Sequence, residues 1–191
     1  PFQTTSIANV APVLSGQAKV AAGGESKSTS VEGVTPAYSP VRNLNVTEGE
    51  FISEEHILGQ ASVVLLGPDV AEKLFGRTEG LVGETVRIEG RPFRVIGVLE
   101  SKGGSGFSNE DDRVLIPFST AQTRLIRRST RDRVDLLIVQ ANDAEVVNQA
   151  ADEISQILRI RHRSEVGADD FTVLPQQDFL STAKTITNVL T

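Results

Sequence analysis

The stretch VVLLGPDVAEKLFG (63–76) sets an apolar run against Gly67-Pro68-Asp69 and a segment of helical composition. Strand, glycine and helix start are the order in which a phosphate-binding loop begins. Such a loop needs successive backbone N–H groups and a Gly-Lys-Ser/Thr closure, so that amide dipoles and a lysine meet the anion. Pro68 removes one donor, and neither that closure nor a G-x-G-x-x-G follows. Gly67 therefore reads as a turn glycine. GGSGF (103–107) imitates a nucleophile elbow, but Phe107 takes the place of its last glycine and no helix follows to hold Ser105 on a strained turn. Glu110-Asp111-Asp112 lacks the alternating oxygen spacing of a calcium loop and reads as a solvated acidic edge. Glu54-Glu55 and Asp169-Asp170 are adjacent pairs, whose side chains diverge on a helix or strand and make no acid–base couple. His56 and His162 have no metal-ligand partner at helical spacing and read as solvated surface. Asn45-Val46-Thr47 matches the glycosylation acceptor, a short pattern that chance supplies easily. No catalytic, cofactor-binding or metal-ligating constellation emerges.

RLIRRSTRDR (124–133) carries five arginines in ten residues. Nucleic-acid binding would add aromatic stacking groups to such a run, and none is nearby. The run reads as a solvated helix end, with Arg127 and Arg128 available to another chain or to acidic headgroups. The net charge of −6 also argues against a nucleic-acid partner. With no cysteine in 191 residues, disulfides, zinc thiolate sites and cysteine nucleophiles are excluded. An apolar content of 39% beside 23% charged residues is ordinary globular composition. No apolar run approaches the ~18 residues of a membrane helix. The chain starts at Pro1 without an initiator methionine or leader pattern, as if taken from something longer.

The elements that would position these residues fall into three stretches. Residues 1–15 carry a weak helical face of Ile7, Val10, Ala11 and Leu14, interrupted by Pro12; 16–34 reads as two short strands around Gly23-Gly24; 35–44 reads as a turn or two of helix capped by Thr35. From Ser53 the character changes. Val63–Leu66 is a buried strand and PDVAEKLF a short helix stopped by Gly76. ETVRIEGRPFRVIGVLE (84–100) alternates as a half-buried hairpin turning at Gly90. SKGGSGFSNEDD (101–112) is a flexible polar loop, RVLIPF a strand, and Ser119 to Gln122 a capping box opening a helix. The last third reads β-α-β. VDLLIVQ (134–140) is a buried strand. A helix capped by Asn142 or Asp143 follows, with Val147, Ala150, Ala151, Ile154, Ile157 and Leu158 on one face; FTVLP (171–175) is a strand and 178–190 a further helix. The acidic start and basic end of the long helix, Arg159, Arg161 and Arg163, suit its dipole.

Three segments also resemble a family: GEFISEEHILGQASVVLLGPDVAEKLFG, LVGETVRIEGRPFRVIGVLESKGG and DDRVLIPFSTAQTRL. They are similar to the MacB-like periplasmic core domain of MacB/FtsX-type ABC transporter permeases, and the likeness covers most of residues 13–175. The resemblance implies an α+β fold. A porter-like α/β subdomain of β-α-β units (1–52 and 131–191) would hold an inserted, mainly-β Sabre-like subdomain (53–130). It implies an extracytoplasmic domain between the first and second spans of a four-helix permease, with helix 178–190 running toward the second. One departure is that residues 1–12 are short and proline-marked, where family members carry a longer helix.

The resemblance further implies a non-enzymatic domain without cofactor, ATP being bound by a separate cytoplasmic ATPase domain or subunit. Implied partners are that ATPase, a membrane fusion (adaptor) protein, and a second copy in the full permease; the isolated domain is expected to be a monomer. Homologues serve efflux, lipoprotein release or activation of cell-wall hydrolases. A stand-alone extracytoplasmic peptide- or lipid-binding module is the alternative from another class. For partner contact, the expected residues are Phe107, a lone aromatic in loop 101–112, together with Arg127 and Arg128.

Overall fold

The computed structural model describes residues 6–103, 109–126, 134–165 and 167–175. Ile7–Ala22 is one long strand, β1, and Glu25–Val34 returns beside it as β2. Gly23 and Gly24 turn the chain with φ of 57° and 92°, the left-handed backbone that favours glycine in tight hairpins. The expected hairpin is present, with longer strands. The helical face expected in 1–15 is not: Ile7, Val10, Ala11 and Leu14 belong to β1. Their uneven spacing arises because β1 changes its buried face, Ala11 and Val13 packing in one core and Leu14, Ala18 and Val20 in another.

After β2 come α1 (Tyr38–Arg42), β3 (Val46–Gly49) and α2 (Glu54–Leu58). The helix expected from Thr35 starts later, because the Tyr38 N–H closes a turn onto the Thr35 carbonyl at 3.0 Å. Next are β4 (Val63–Leu66) and α3 (Pro68–Phe75), with Pro68 in the first turn and Gly76 ending the helix at φ 66°. β5 (Thr85–Ile88) and β6 (Arg91–Leu99) form the expected second hairpin. β7 (Arg113–Pro117) leads into α4 (Phe118–Thr120), which widens into a π-helical turn, Ala121–Leu125. β8 (Leu136–Ala141), a 3-10 turn capped by Asp143, and α5 (Val147–His162) complete the elements.

The chain divides into two compact units, Val10–Ile138 and the paired segments Pro1–Asn9 and Val139–Thr191. In the larger unit, β1 pairs with β2, β2 with β7, β7 with β4, β4 with β6, β6 with β5, and β5 with β1. Six strands thereby close on themselves, and the ring has no free edge. β3 pairs with the far half of β6. One core lies inside the ring and takes side chains from all six strands, joined by Val70, Ala71 and Leu74 of α3. The second lies against the outside of β4, β7 and far β6, under Tyr38, Leu44 and Ile52. Val64 and Leu66 enter the first core while Val63 and Leu65 enter the second, so a strand buried on both faces reads as a continuous apolar run.

The compact units divide at 9/10 and 138/139, β1 and β2 being partners of β5 and β7. Several expectations are corrected. The far half of β6 is buried on both faces, with an irregular register at Ile96 beside β4. The capping box at Ser119 does not form. Its hydroxyl donates to the Ile57 carbonyl and that of Thr120 to the Ala61 carbonyl, tying α4 to the chain around α2. β8 is not buried: Leu136 is 53% and Leu137 38% exposed. Residues 171–175 join no sheet among the described residues, and 178–190 lie outside them. Within the smaller unit, the α5 face expected from Val147 to Leu158 is half-buried, with Ala150 fully so.

Candidate functional site

Phe107, Arg127 and Arg128, the expected partner contacts, lie outside the described residues. The two stems of loop 101–112 are described, and they are held by charge rather than left as flexible chain. β6 delivers Ser101 to Gly103; the start of β7 delivers Asn109 to Asp112 opposite. The Asp111 carboxylate accepts from Ser101 Oγ and from the N–H groups of Lys102 (2.9 Å) and Gly103 (3.2 Å). Asp111 is 7% exposed. Burial opposes its charge, but these hydrogen bonds and Arg113 outweigh that and hold its pKa below the ordinary value. Asn109 Nδ2 donates to Asp69, and Lys102 Nζ to the Arg42 carbonyl.

Beneath the stems lies a cluster that joins α1 to β2 and β7. The buried Arg113 guanidinium sits 3.5 Å from Glu32 and 3.4 Å from Glu110, and it donates to the Tyr38 hydroxyl at 3.2 Å. Tyr38 in turn donates to Glu32 at 2.7 Å. Burial, then the Glu32 charge, pushes the tyrosine pKa far above its ordinary value, so the hydroxyl remains a donor. Arg42 reaches Glu110 at 2.7 Å. Asp112 accepts from Thr29 at 2.7 Å and pairs with Lys27 at 3.2 Å. The expected solvated acidic edge is thus three carboxylates, each with its own partners. Chemically the cluster has no unpaired base beside a nucleophile. It can hold the loop's two ends at a set distance.

A second anchor escaped sequence reasoning. The Glu48 carboxylate on β3 gathers the N–H groups of Gly80 (2.6 Å), Leu81 (3.1 Å) and Val82 (3.1 Å). The Val82 N–H lowers its pKa most; burial opposes this, and the N–H groups of Leu81 and Gly80 and the Arg77 charge lower it further. No local pattern marks it, since its partners lie 32 to 34 residues away. Tyr38 and Arg113, 75 residues apart, were hidden for the same reason.

The remaining sequence candidates have structural employment. A Cβ on Gly67 would stand 2.3 Å from the Asp111 carbonyl oxygen and 2.7 Å from that of Arg113, so this glycine permits backbone contact between the start of α3 and β7. His56 is not solvated; its side chain is 16% exposed and closes a capping box with Ser53 at the start of α2. Asn45 donates to Glu100 at 2.9 Å. In the smaller unit Arg159 forms a two-pronged pair with Asp169 at 2.8 and 2.6 Å. His162 meets Asp170 at 2.7 Å and the edge of Phe171. No group of three potential metal ligands occurs among the described residues. A depression beside α3, lined by Glu25, Lys27, Asp69, Glu72, Lys73 and Phe75, is open to solvent.

The sequence profile of the MacB-like periplasmic core domain matches residues 2–157. A macrolide export ATP-binding/permease protein MacB of Bdellovibrio bacteriovorus is 35% identical over 98% of this chain and 29% of its own length. A pyoverdine export ATP-binding/permease protein PvdT of Pseudomonas syringae pv. syringae is 36% identical over 82% of this chain and 23% of its own. The chain therefore spans about a quarter of the length of the curated relatives it matches. Two solved structures share the fold. The periplasmic region of MacB from Actinobacillus actinomycetemcomitans has a TM-score of 0.78 at 23% identity, over 95% of this chain and 78% of that one. The extracellular domain of the noncanonic ABC-type transporter YknZ from Gram-positive bacteria has a TM-score of 0.71 at 22% identity, over 84% and 79%. The α+β class is thus shared with both. No helix among the described residues is long and apolar enough to cross a membrane.

Proposed function

Since the chain belongs to the MacB-like periplasmic core domain family, we propose that it is the extracytoplasmic part of an export permease. In this reading it performs no chemistry of its own and carries ATP-driven movement to a partner outside the membrane. The supporting observation is the loop 101–112. Its ends are locked by Asp111, Glu110 and Asp112 onto a closed six-stranded ring, which suits a contact that must be presented in a set place. A protein that couples two states needs a surface that meets its partner differently in each. Phe107 in this loop, with Arg127 and Arg128, is our candidate for that surface. We read residues 53–130 as the Sabre-like insert and 1–52 with 131–191 as the porter-like part. ATP would be hydrolysed by a cytoplasmic ATPase domain or subunit, and an adaptor protein and a second permease copy would complete the assembly.

The test is made in the full-length permease. Residues 104–108 are replaced by glycine and serine at equal length, and export from cells is compared with melting of the isolated chain. Export should fall while the melting temperature stays within about 2 °C, since loops away from the core seldom change stability. Undiminished export would remove this loop from the mechanism. A large fall in melting temperature would assign it to the core instead.

A further inference from the structure

The outside of the ring is clothed on one side only. The second core covers β4, β7 and far β6, whereas the outward side chains of late β1, β5 and near β6 are exposed. The charged residues at those outward positions are Lys19, Arg87 and Arg94, all cations, in a chain whose acids outnumber its bases by 25 to 19. Arg91, opposite the core residue Ile88, belongs to the other face of β6. Strand register sets their spacing: Thr85 lies opposite Arg94, Arg87 opposite Pro92, and Ala21 opposite Arg87. Lys19 and Arg87, and Arg87 and Arg94, thereby occupy diagonal cross-strand positions, about 7–8 Å apart.

Elsewhere in this unit Lys27, Lys73, Arg77 and Arg113 each have a carboxylate partner. Among the described residues, no carboxylate forms an ion pair with Lys19, Arg87 or Arg94. Arg87 donates to the Gly90 carbonyl at 3.0 Å. Glu89, the acid nearest the turn, is taken up by the Lys19 backbone N–H at 2.6 Å.

We propose that this bare face of β1, β5 and β6 docks an acidic, extended segment of a protein partner, its carboxylates meeting the guanidinium forks of Arg87 and Arg94. Guanidinium forks on paired strands offer carboxylates two parallel hydrogen bonds at set positions. Entry into a bilayer would ask for large apolar side chains beside the charges, and these outward positions carry none. The inference rests on the reading of this domain as a partner-contacting one. It is tested by direct binding, so its failure leaves the export experiment standing.

The probe is a fluorescent peptide of about twelve glutamates, titrated with the 191-residue chain at about 50 mM and about 300 mM salt, where screening separates surface attraction from buried contact. Binding should weaken at high salt. The double variant Arg87→Gln/Arg94→Gln should lose about tenfold or more in affinity, the size expected when charge-assisted pairs are removed. Arg161→Gln/Arg163→Gln, with the same change in net charge, should bind like the parent. Arg87→Lys/Arg94→Lys keeps the charge without the fork and should fall between. It also carries the test if the glutamine variant melts early. Equal loss in the control variant, no loss in the Arg87/Arg94 variants, or Arg87-dependent binding to phosphatidylglycerol vesicles without peptide binding would each overturn the proposal.

Discussion

Gly67 and Gly90 are both turn glycines in the sequence, yet different physics requires them. Gly67 has φ −68°, which any residue adopts, and it is needed because carbonyl oxygens of residues 111 and 113 crowd the place of a Cβ. Gly90 has open space around it and is needed for its φ of 78°. Gly67→Ala should therefore destabilise by about 1–3 kcal/mol through overpacking. Gly90→Val should lose about the same through backbone strain. Urea unfolding of both variants checks this, and a midpoint unchanged for either would remove its mechanism. Glu48 adds a pH dependence. Its folded pKa lies below the ordinary value of 4.5, so its contribution is present above that pH and is lost as pH falls through the folded value. Parent and Glu48→Gln should differ in melting temperature near neutrality and converge in acid. A gap that persists in strong acid would show that the three N–H bonds do not depend on the charge.

At the scale of elements, the loop stems show how a polar segment is made rigid without apolar packing. Asp111→Ala would release the Lys102 and Gly103 N–H groups and the Ser101 hydroxyl to solvent. We expect a loss of about 1 kcal/mol, the net worth of a hydrogen bond whose exposed donor can turn to water, read by thermal or urea unfolding. A variant as stable as the parent would mean that the stems are held by Glu110 and Asp112 alone. The second hairpin and α3 follow from local pattern, whereas the π turn after α4 follows from tertiary demand. Ser119 and Thr120 spend their hydroxyls on Ile57 and Ala61 rather than on capping their own helix.

For the whole molecule, the ring of six strands gives the unit Val10–Ile138 a closed frame. Closure removes the edges along which sheets slip or add strands. The same architecture leaves the start of α3 unsuited to phosphate, with Pro68 lacking its N–H and Gly67 packed on β7. Calorimetry of the isolated chain with Mg-ATP should show no binding tighter than about 10 μM, near −7 kcal/mol. Heat from tighter binding would mean that a nucleotide site exists within these residues.

The sequence by itself determined the elements whose signals are local. Gly-Gly and Glu-Gly turned two hairpins, the Gly67-to-Gly76 frame bounded α3, and the motif run in 49–125 pointed to the right family. These are matters of backbone preference and of neighbouring residues, which the chain carries wherever it goes. Tertiary structure alone decided that β1 is one strand serving two cores, that the units divide at 9/10 and 138/139, and that Glu110, Asp111 and Asp112 are paired rather than solvated. Each depends on partners tens of residues away, such as β2 with β7 or Arg42 with Glu110. A strand's partner, and a carboxylate's, is chosen by what the closed ring brings beside it, and no spacing along the chain encodes that.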